Sequence, residues 1–361
     1  MSITRRLFGN MPDGRDVYLY TLKNASGASL SMINYGAIVQ SIIVPDAEGN
    51  LGDVALGFDS LDKYLQGHGS MGDTIGRYGN RIGKGRFTLD GVTYQLNLNN
   101  GENHLHGGPE NLSKKLWDVE EIEGNGMDSL VFSTFSPDGE ENYPGNLNVR
   151  VTYSWDDDNN LTIRYQGTTD KPTLLNMTNH TYFNLAGHDF GTVREHYIYI
   201  DADVITPVDA GLIPTGSYLP VDGTPLAMTG DMSIGEGLDQ MDTCPQMIPA
   251  GGYDHNYVLT KGCAMAECAS VYEPTTGRMM NVLTDQPAVQ LYTACTTNLS
   301  GGKGGAHYGN FSGFCLETQH CPDTPNNPQF PGTTVLRPGE TYDTTTIYSF
   351  RVADTEEDDE E

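Results

Sequence analysis

The stretch from Leu147 to Gln166 constrains the fold more than any other. Leu147, Val149, Val151, Tyr153 and Trp155 interleave with Asn148, Arg150, Thr152 and Ser154; Leu161, Ile163 and Tyr165 interleave with Thr162, Arg164 and Gln166. Side chains on a strand alternate between its faces, so a period of two gives each segment one apolar and one polar face. Asp156-Asp157-Asp158-Asn159-Asn160 lies between them as a polar turn, and the unit reads as an antiparallel hairpin. Phe87 and Leu89, Asp90-Gly91, then Val92, Tyr94 and Leu96 give a second hairpin, whose Asp-Gly pair suits a type I′ turn. A third spans Ala269 to Leu283 around Thr275-Thr276-Gly277. Helical periodicity is scarce; Ser60-Leu61-Asp62-Lys63-Tyr64-Leu65 reads as a short helix with Ser60 as N-cap.

A chain of 361 residues is long enough for a sizeable core, and its 43 glycines favour a turn-rich fold over a helical one. No propeller or solenoid repeat recurs, and no Gly/Ser linker or shift of composition divides the sequence. The expected organisation is one antiparallel β domain over residues 1–350 and an acidic tail at 351–361, where Asp354-Thr355-Glu356-Glu357-Asp358-Asp359-Glu360-Glu361 forms a solubilising, disordered end. No stretch approaches the roughly 20 apolar residues of a membrane helix. Arg5-Arg6 has no apolar run behind it, so no secretory signal is expected. A net charge of −28 argues against nucleic acid and anionic membranes as partners. The cysteines (Cys244, Cys263, Cys268, Cys295, Cys315, Cys321) include no Cys-x-x-Cys pair, and free thiols in a reducing cytoplasm are expected.

Two stretches carry chemistry. Glu317 follows the apolar run Gly313-Phe314-Cys315-Leu316, just before a loop rich in Pro and Asn. A strand end beside an irregular loop is where a rigid scaffold presents a reactive side chain. His180 sits within Asn176-Met177-Thr178-Asn179-His180-Thr181-Tyr182-Phe183-Asn184-Leu185-Ala186-Gly187. A carboxylate and an imidazole supply base and acid for proton transfer near neutral pH. Taken singly, a Glu is commonly a solvated surface residue and a His a satisfied buried one. A zinc site from Cys315, His320 and Cys321 has atypical spacing; His104 and His106 would share a strand face but lack a clear third ligand.

These strings resemble the aldose 1-epimerases, or galactose mutarotases. Residues 179–185 match the family's Asn-His-Thr/Ser-Tyr-Phe-Asn-Leu and residues 316–319 its Leu-Glu-Thr-Gln. The likeness continues in Gly76-Arg77-Tyr78-Gly79-Asn80-Arg81-Ile82, Asn103-His104-Leu105-His106-Gly107-Gly108, Gly252-Tyr253-Asp254-His255-Asn256-Tyr257 and Val289-Gln290-Leu291-Tyr292-Thr293, in the family's order from about residue 30 to residue 350. It implies an all-β fold, the galactose mutarotase-like supersandwich, a large antiparallel β-sandwich. It also implies interconversion of the α and β anomers of a free hexose with no cofactor and no metal. By resemblance Glu317 is the base at O1 and His180 the acid at the ring oxygen. Asn80, Arg81, His106, Tyr182, Asp254 and Gln290 bind substrate, and His104 is structural. Glu317 is expected to be ionised and His180 partly protonated at neutral pH, giving a bell-shaped profile with Glu317 on the acid limb and His180 on the basic limb. The expected partner is a small-molecule sugar, bound by a monomer or homodimer.

The sequence departs from the family twice. Ala294-Cys295-Thr296-Thr297-Asn298 replaces the usual Gly/Ser-Asn, and residues 222–250 lack an Asp-Phe pair and hold a polar, Met-rich stretch. Both are expected to be loops near the site that bear on sugar preference. The alternatives are an epimerase for another aldose, a non-catalytic sugar-binding protein of the same fold, and a hydrolase using Asp254 and Glu317 as paired carboxylates. A phosphosugar is disfavoured by only 20 Lys and Arg.

Overall fold

A computed structural model describes residues 2–353. Leu147–Asp156 pairs antiparallel with Asn160–Thr169, setting Val151 opposite Tyr165, Tyr153 opposite Ile163 and Trp155 opposite Leu161. The Asp156 carboxylate closes the turn, accepting from the N–H of Asp158 (2.9 Å) and of Asn160 (2.8 Å). Asn159 takes φ +60°, which Asn tolerates because its short polar side chain bonds locally. Asp90 and Gly91 have φ +50° and +81°, the two positive values a type I′ turn requires. The third hairpin pairs Ala266–Tyr272 with Arg278–Thr284.

The first and third hairpins belong to a nine-stranded antiparallel sheet. Its order is Asp118–Ile122, Met127–Ser136, Leu147–Asp156, Asn160–Thr169, Tyr342–Val352, Arg278–Thr284, Ala266–Tyr272, Tyr197–Ile200 and Thr229–Ser233. The N-terminal strands, from Ser2–Asn10 to Leu51–Asp53, form a five-stranded meander. A second five-stranded sheet runs Leu219–Pro220, Val204–Ile205, Asp254–Val258, Ala288–Tyr292, Cys315–Gln319. One core joins all three: Leu22, Leu30 and Ile42 from the meander, Val151 and Ile163 from the large sheet, Tyr257, Val289 and Leu316 from the third. Burying each such side chain is worth roughly 1.5–3 kcal/mol. The inward faces are therefore what fix the register of the third sheet, and with it the site. The architecture is the large antiparallel β-sandwich expected.

The short helix is Leu61–Gln66; Ser60 precedes it in extended conformation, but its side chain makes no capping bond. A second helix, Ile234–Leu238, was not anticipated, although Ser233 and Glu236 form a capping box whose three-residue spacing is visible in the sequence. The last strand continues through Val352, past the expected domain end at 350. The acidic block 354–361 lies outside the described residues. Among the described residues no helix is long and apolar enough to cross a membrane, and all six cysteines are free.

Candidate active site

Three neighbouring strands lay out one wall of the site. Asp254–Val258 pairs with Ala288–Tyr292, and that strand with Cys315–Gln319. Asp254, Tyr292 and Cys315 make one cross-strand row, and Asn256, Gln290 and Glu317 the next. Residues two apart on a strand share a face, so both rows look the same way. Glu317 is 2% exposed, and its Oε2 has no hydrogen-bond partner among the described residues. A buried, unpartnered carboxylate oxygen costs the fold stability and is an atom a ligand can satisfy.

His180 arrives from the opposite side on Thr178–His180, which pairs with Asp73–Ile75 and sets His180 across from Asp73. Its Nε2 stands 3.6 Å from Glu317 Oε1. The Tyr182 ring stacks on the imidazole at 5.0 Å between centroids and donates its hydroxyl to the Gly69 carbonyl (2.8 Å). His106 meets His180 edge-on at 5.1 Å.

A buried arginine anchors the third wall. Arg77 donates to the carbonyls of Ser136, Pro137, Pro144 and Gly145 and so fixes the segment leading to Asn80 and Arg81. Asn80, at φ +65°, donates its N–H to His106 Nδ1 (3.1 Å), and its carbonyl accepts from the His106 N–H (3.1 Å). Arg81 Nη2 lies 3.3 Å from Asp254 Oδ2, and Gln290 Nε2 donates to Asp254 Oδ1 at 2.6 Å. Asp254 is thereby aimed before any ligand arrives.

Asn80, Arg81, His106, His180, Tyr182, Asp254, Tyr292 and Glu317 line one cavity of about 420 Å³, with Ser70, Leu212, Pro249, Ala250 and Thr296 at its walls and rim. A larger, shallower hollow of about 510 Å³ lies on the outer face of the nine-stranded sheet, around Phe135, Arg150 and Gln166. It brings no acid and base together, so the site is assigned by chemistry rather than by size.

Burial pushes the Glu317 carboxyl well above its ordinary value; the Asp254 charge adds to this and the Arg81 guanidinium offsets part of it. Burial pushes His180 down to about 4, against the pull of the Asp73 charge. Burial, with His180 and Arg81 nearby, holds His106 well below its ordinary value. Burial thus opposes the charged form of each group, favouring a neutral His180 and a protonated Glu317 over the charge states expected from the sequence. A low-dielectric setting penalises both charged forms. The pair still holds one proton between them. The bell-shaped kcat/KM profile is accordingly expected with its limbs exchanged. The acid limb, near pH 4, reports a second proton entering at His180, and the basic limb, above the usual carboxylate range, reports loss of the proton on Glu317. A pH–rate series over roughly pH 3 to 10 checks this; an acid limb at the ordinary imidazole value would overturn it.

His106, His180 and Glu317 place one ligand-type atom each within 4.8 Å of one another, the one such group among the described residues. Their hydrogen bonds do not suit a cation. His106 Nδ1 already accepts from Asn80, so a neutral His106 carries its hydrogen on Nε2 and offers a cavity ligand an N–H, not a lone pair. Cys315, His320 and Cys321 do not form such a group.

The structure brings seven of the eight implied site residues to the cavity. Gln290 stands behind Asp254 instead and holds it. His104 and His106 do not share a face: the strand ends at Leu105, and His106, at φ +52°, leaves the pleat. His104 is buried, its Nδ1 2.6 Å from the Asn97 carbonyl and its Nε2 2.7 Å from the Tyr143 hydroxyl. Tyr292 was missed, although it sits two residues after Gln290 in the alternation and so shares that face. Of the departures, Thr296, Pro249 and Ala250 do reach the cavity. Met228 and Met247 are buried core, so much of the Met-rich stretch is packing rather than rim.

The family model described as "Aldose 1-epimerase" matches residues 18–349. The galactose mutarotase of Sus scrofa is 41% identical over 356 residues, covering 98% of this chain and 100% of its own. The aldose 1-epimerase of Escherichia coli K12 is 36% identical over 341 residues, 94% of this chain and 96% of its own. Among solved structures, galactose 1-epimerase from Lactobacillus acidophilus superposes with a TM-score of 0.86 at 26% identity, covering 98% of this chain and 99% of that one. An aldose epimerase homologue from C. elegans gives 0.84 at 30% identity, covering 93% and 99%. With matches spanning the β-sandwich and its cavity alike, the chain belongs to the aldose 1-epimerase family.

Proposed function

We propose that this chain is an aldose 1-epimerase interconverting the α and β anomers of free glucose and galactose by proton transfer. One observation carries the reading: a buried imidazole and a buried carboxyl meet at 3.6 Å in the wall of a cavity lined with polar side chains suited to sugar hydroxyls. In the reactive form Glu317 carries the negative charge and His180 the proton, a redistribution within the pair that changes no proton count. Glu317 takes the proton of the C1 hydroxyl. The C1–O5 bond breaks as the C1–O1 bond gains double-bond character, and His180 gives its proton to O5. The open aldehyde turns about C1–C2. Closure on the other face runs the transfers backwards, returning both residues to their starting states. Arg81 and Asp254 grip ring hydroxyls, and His106, a neutral N–H donor, supports the ring oxygen.

Arg81 is the one Lys or Arg on the cavity wall, and Asp254 already pairs with it, which favours an unphosphorylated sugar. A non-catalytic binder has no need of a buried acid–base pair. Both oxygens of Asp254 are already engaged, by Arg81 and Gln290, which disfavours the hydrolase alternative. Six free thiols support a reducing, cytoplasmic setting, with the protein a monomer or homodimer. Polarimetry of freshly dissolved α-D-galactose and α-D-glucose tests the function. Faster relaxation to the same final rotation is expected, and no acceleration of either by the folded protein would overturn the reading.

A further inference from the structure

A buried carboxyl on the strand beside His180 takes no part in the proton transfers above. Asp73 opens the strand Asp73–Ile75 and stands directly opposite His180 in the antiparallel pair. Residues so placed project to the same face, with Cβ atoms about 4.5–5.5 Å apart. Asp73 is 0% exposed and lies outside the cavity lining. Its Oδ1 is 2.5 Å from His68 Nε2, and its Oδ2 has no hydrogen-bond partner among the described residues. His68 is buried too, and turns its other nitrogen, Nδ1, to the Tyr64 carbonyl (2.8 Å). We infer that Asp73 is a positioning residue for His180: held as a carboxylate by His68, it is the buried counter-charge that stabilises the His180 imidazolium in the reactive form of the pair. This rests on the reading of His180 as the acid of the pair.

Hydrogen bonds set the charges of the Asp73–His68 pair. A carbonyl only accepts, so His68 Nδ1 carries a hydrogen. One further proton lies between Nε2 and Oδ1. Burial alone would leave it on Asp73, but the charge and hydrogen bond of His68, with Lys114 nearby, hold the Asp73 carboxyl below its ordinary value and place that proton on His68. The unpartnered Oδ2 is a cost to the fold that serves no hydrogen bond and leaves the charge itself to act.

The charge falls on one member of the catalytic pair. Burial opposes the His180 imidazolium; the Asp73 charge is the largest pull the other way, ahead of Asp254, and His68 opposes it less. On Glu317 the neighbouring charges are Asp254 and Arg81. Asp73 therefore favours passage of the shared proton from Glu317 to His180 Nε2, the nitrogen 3.6 Å away. Glu317 loses what His180 gains, so the proton count holds. Nε2 is free to take it when the neutral ring keeps its own hydrogen on Nδ1, toward Cys315 Sγ. Tyr182, Tyr292 and His106 also face the ring, and Arg81 stands across the cavity. Tyr35, Tyr64 and Tyr153 lie within reach of the Asp73 charge, and burial keeps all three protonated.

Asp73→Asn removes the charge and keeps the shape. The amide can donate to Nε2 of a neutral His68, so the hydrogen bond survives. By polarimetry across pH, kcat is expected to fall about tenfold, the loss for one pK unit at His180. The acid limb of kcat/KM is expected to move downward and KM to hold, because Asp73 does not line the cavity. A raised KM with an unmoved acid limb would mean that Asp73 merely shapes the Gly69-Ser70 rim, and overturns the inference, as does an unchanged rate and profile. 15N NMR of the unaltered protein tests the charge without any variant. Two protonated nitrogens are expected on His68 at neutral pH, whereas a lone pair on Nε2 would put the proton on Asp73 and remove the counter-charge. Glu317→Gln, run alongside, separates the two readings: full activity in that variant overturns the acid–base assignment itself, whereas an inactive Glu317→Gln beside an indifferent Asp73→Asn overturns this inference alone.

Discussion

Glu317→Gln is expected to lower kcat by roughly 10²–10⁴-fold and, at neutral and alkaline pH, to raise the melting temperature. The two effects share one cause. Burial and the Asp254 charge raise the folded-state value of this carboxyl above the ordinary 4.5, whereas the unfolded chain ionises at the ordinary value. The unfolded state therefore binds fewer protons between those two values, and stability falls as pH rises through that window. Below about 4.5 both states are protonated and the penalty vanishes. Glutamine has nearly the same shape and never ionises. The gap in melting temperature should open above the ordinary carboxylate range and close on acidification. Calorimetry at an acidic and an alkaline pH, beside the polarimetric rate, reads both. An unchanged rate removes Glu317 from the chemistry; a lower melting temperature at alkaline pH means the carboxylate supports the fold instead of straining it.

Arg77→Ala is expected to cost about 4 kcal/mol or more, in the upper range for a single substitution. Arg77 is 2% exposed. It donates to Ser136 Oγ (2.9 Å) and Thr173 Oγ1 (3.3 Å), and to the carbonyls of Ser136 (2.9 Å), Pro137 (3.0 Å), Pro144 (3.1 Å) and Gly145 (2.9 Å). Truncation leaves these acceptors without a donor, most of them away from water, at roughly 1–3 kcal/mol for each that stays unsatisfied. A lysine has three donors on a single nitrogen and cannot reproduce a planar fork, so Arg77→Lys should recover only part. The damage reaches the cavity, because Arg77 is three residues from Asn80 and four from Arg81. KM should rise in the lysine variant under conditions where it is folded. The midpoint of urea unfolding checks the first claim; a shift worth under about 1 kcal/mol would show that water or side-chain rearrangement replaces the guanidinium.

The strands were legible where one face is buried and one wet. Leu147–Asp156 and Asn160–Thr169 declare their period because each odd-numbered core residue from Leu147 to Trp155 alternates with a more exposed neighbour over most of its length. Cys315–Gln319 is buried at every position, so no alternation marks it, and a run of apolar and polar residues alone does not reveal which of them faces a ligand. Glu317 and His180 were legible through motif likeness. Their proximity was not, because residues on unpaired strands meet only once the whole sandwich closes. Charge state was the least legible property. Reference values favour a charged His180 and a charged Glu317, whereas burial, a consequence of the tertiary fold, opposes both charges. The divergence of His104 from His106 turned on a single left-handed residue, which local pattern does not announce.

The cavity draws its proton-transfer groups and its rim from different kinds of backbone. His180, Asp254 and Glu317 sit on paired strands whose opposite faces are core, whereas Ser70, Leu212, Pro249, Ala250 and Thr296 sit on connecting segments. A strand residue cannot be re-aimed without shifting its neighbours across the sheet, but a loop residue can be exchanged or an insertion absorbed at little cost. Reactivity and sugar preference can therefore drift independently in this lineage. Exchanges at 249–250 and at Thr296, the positions that reach the cavity from those loops, are the natural handles for redesign.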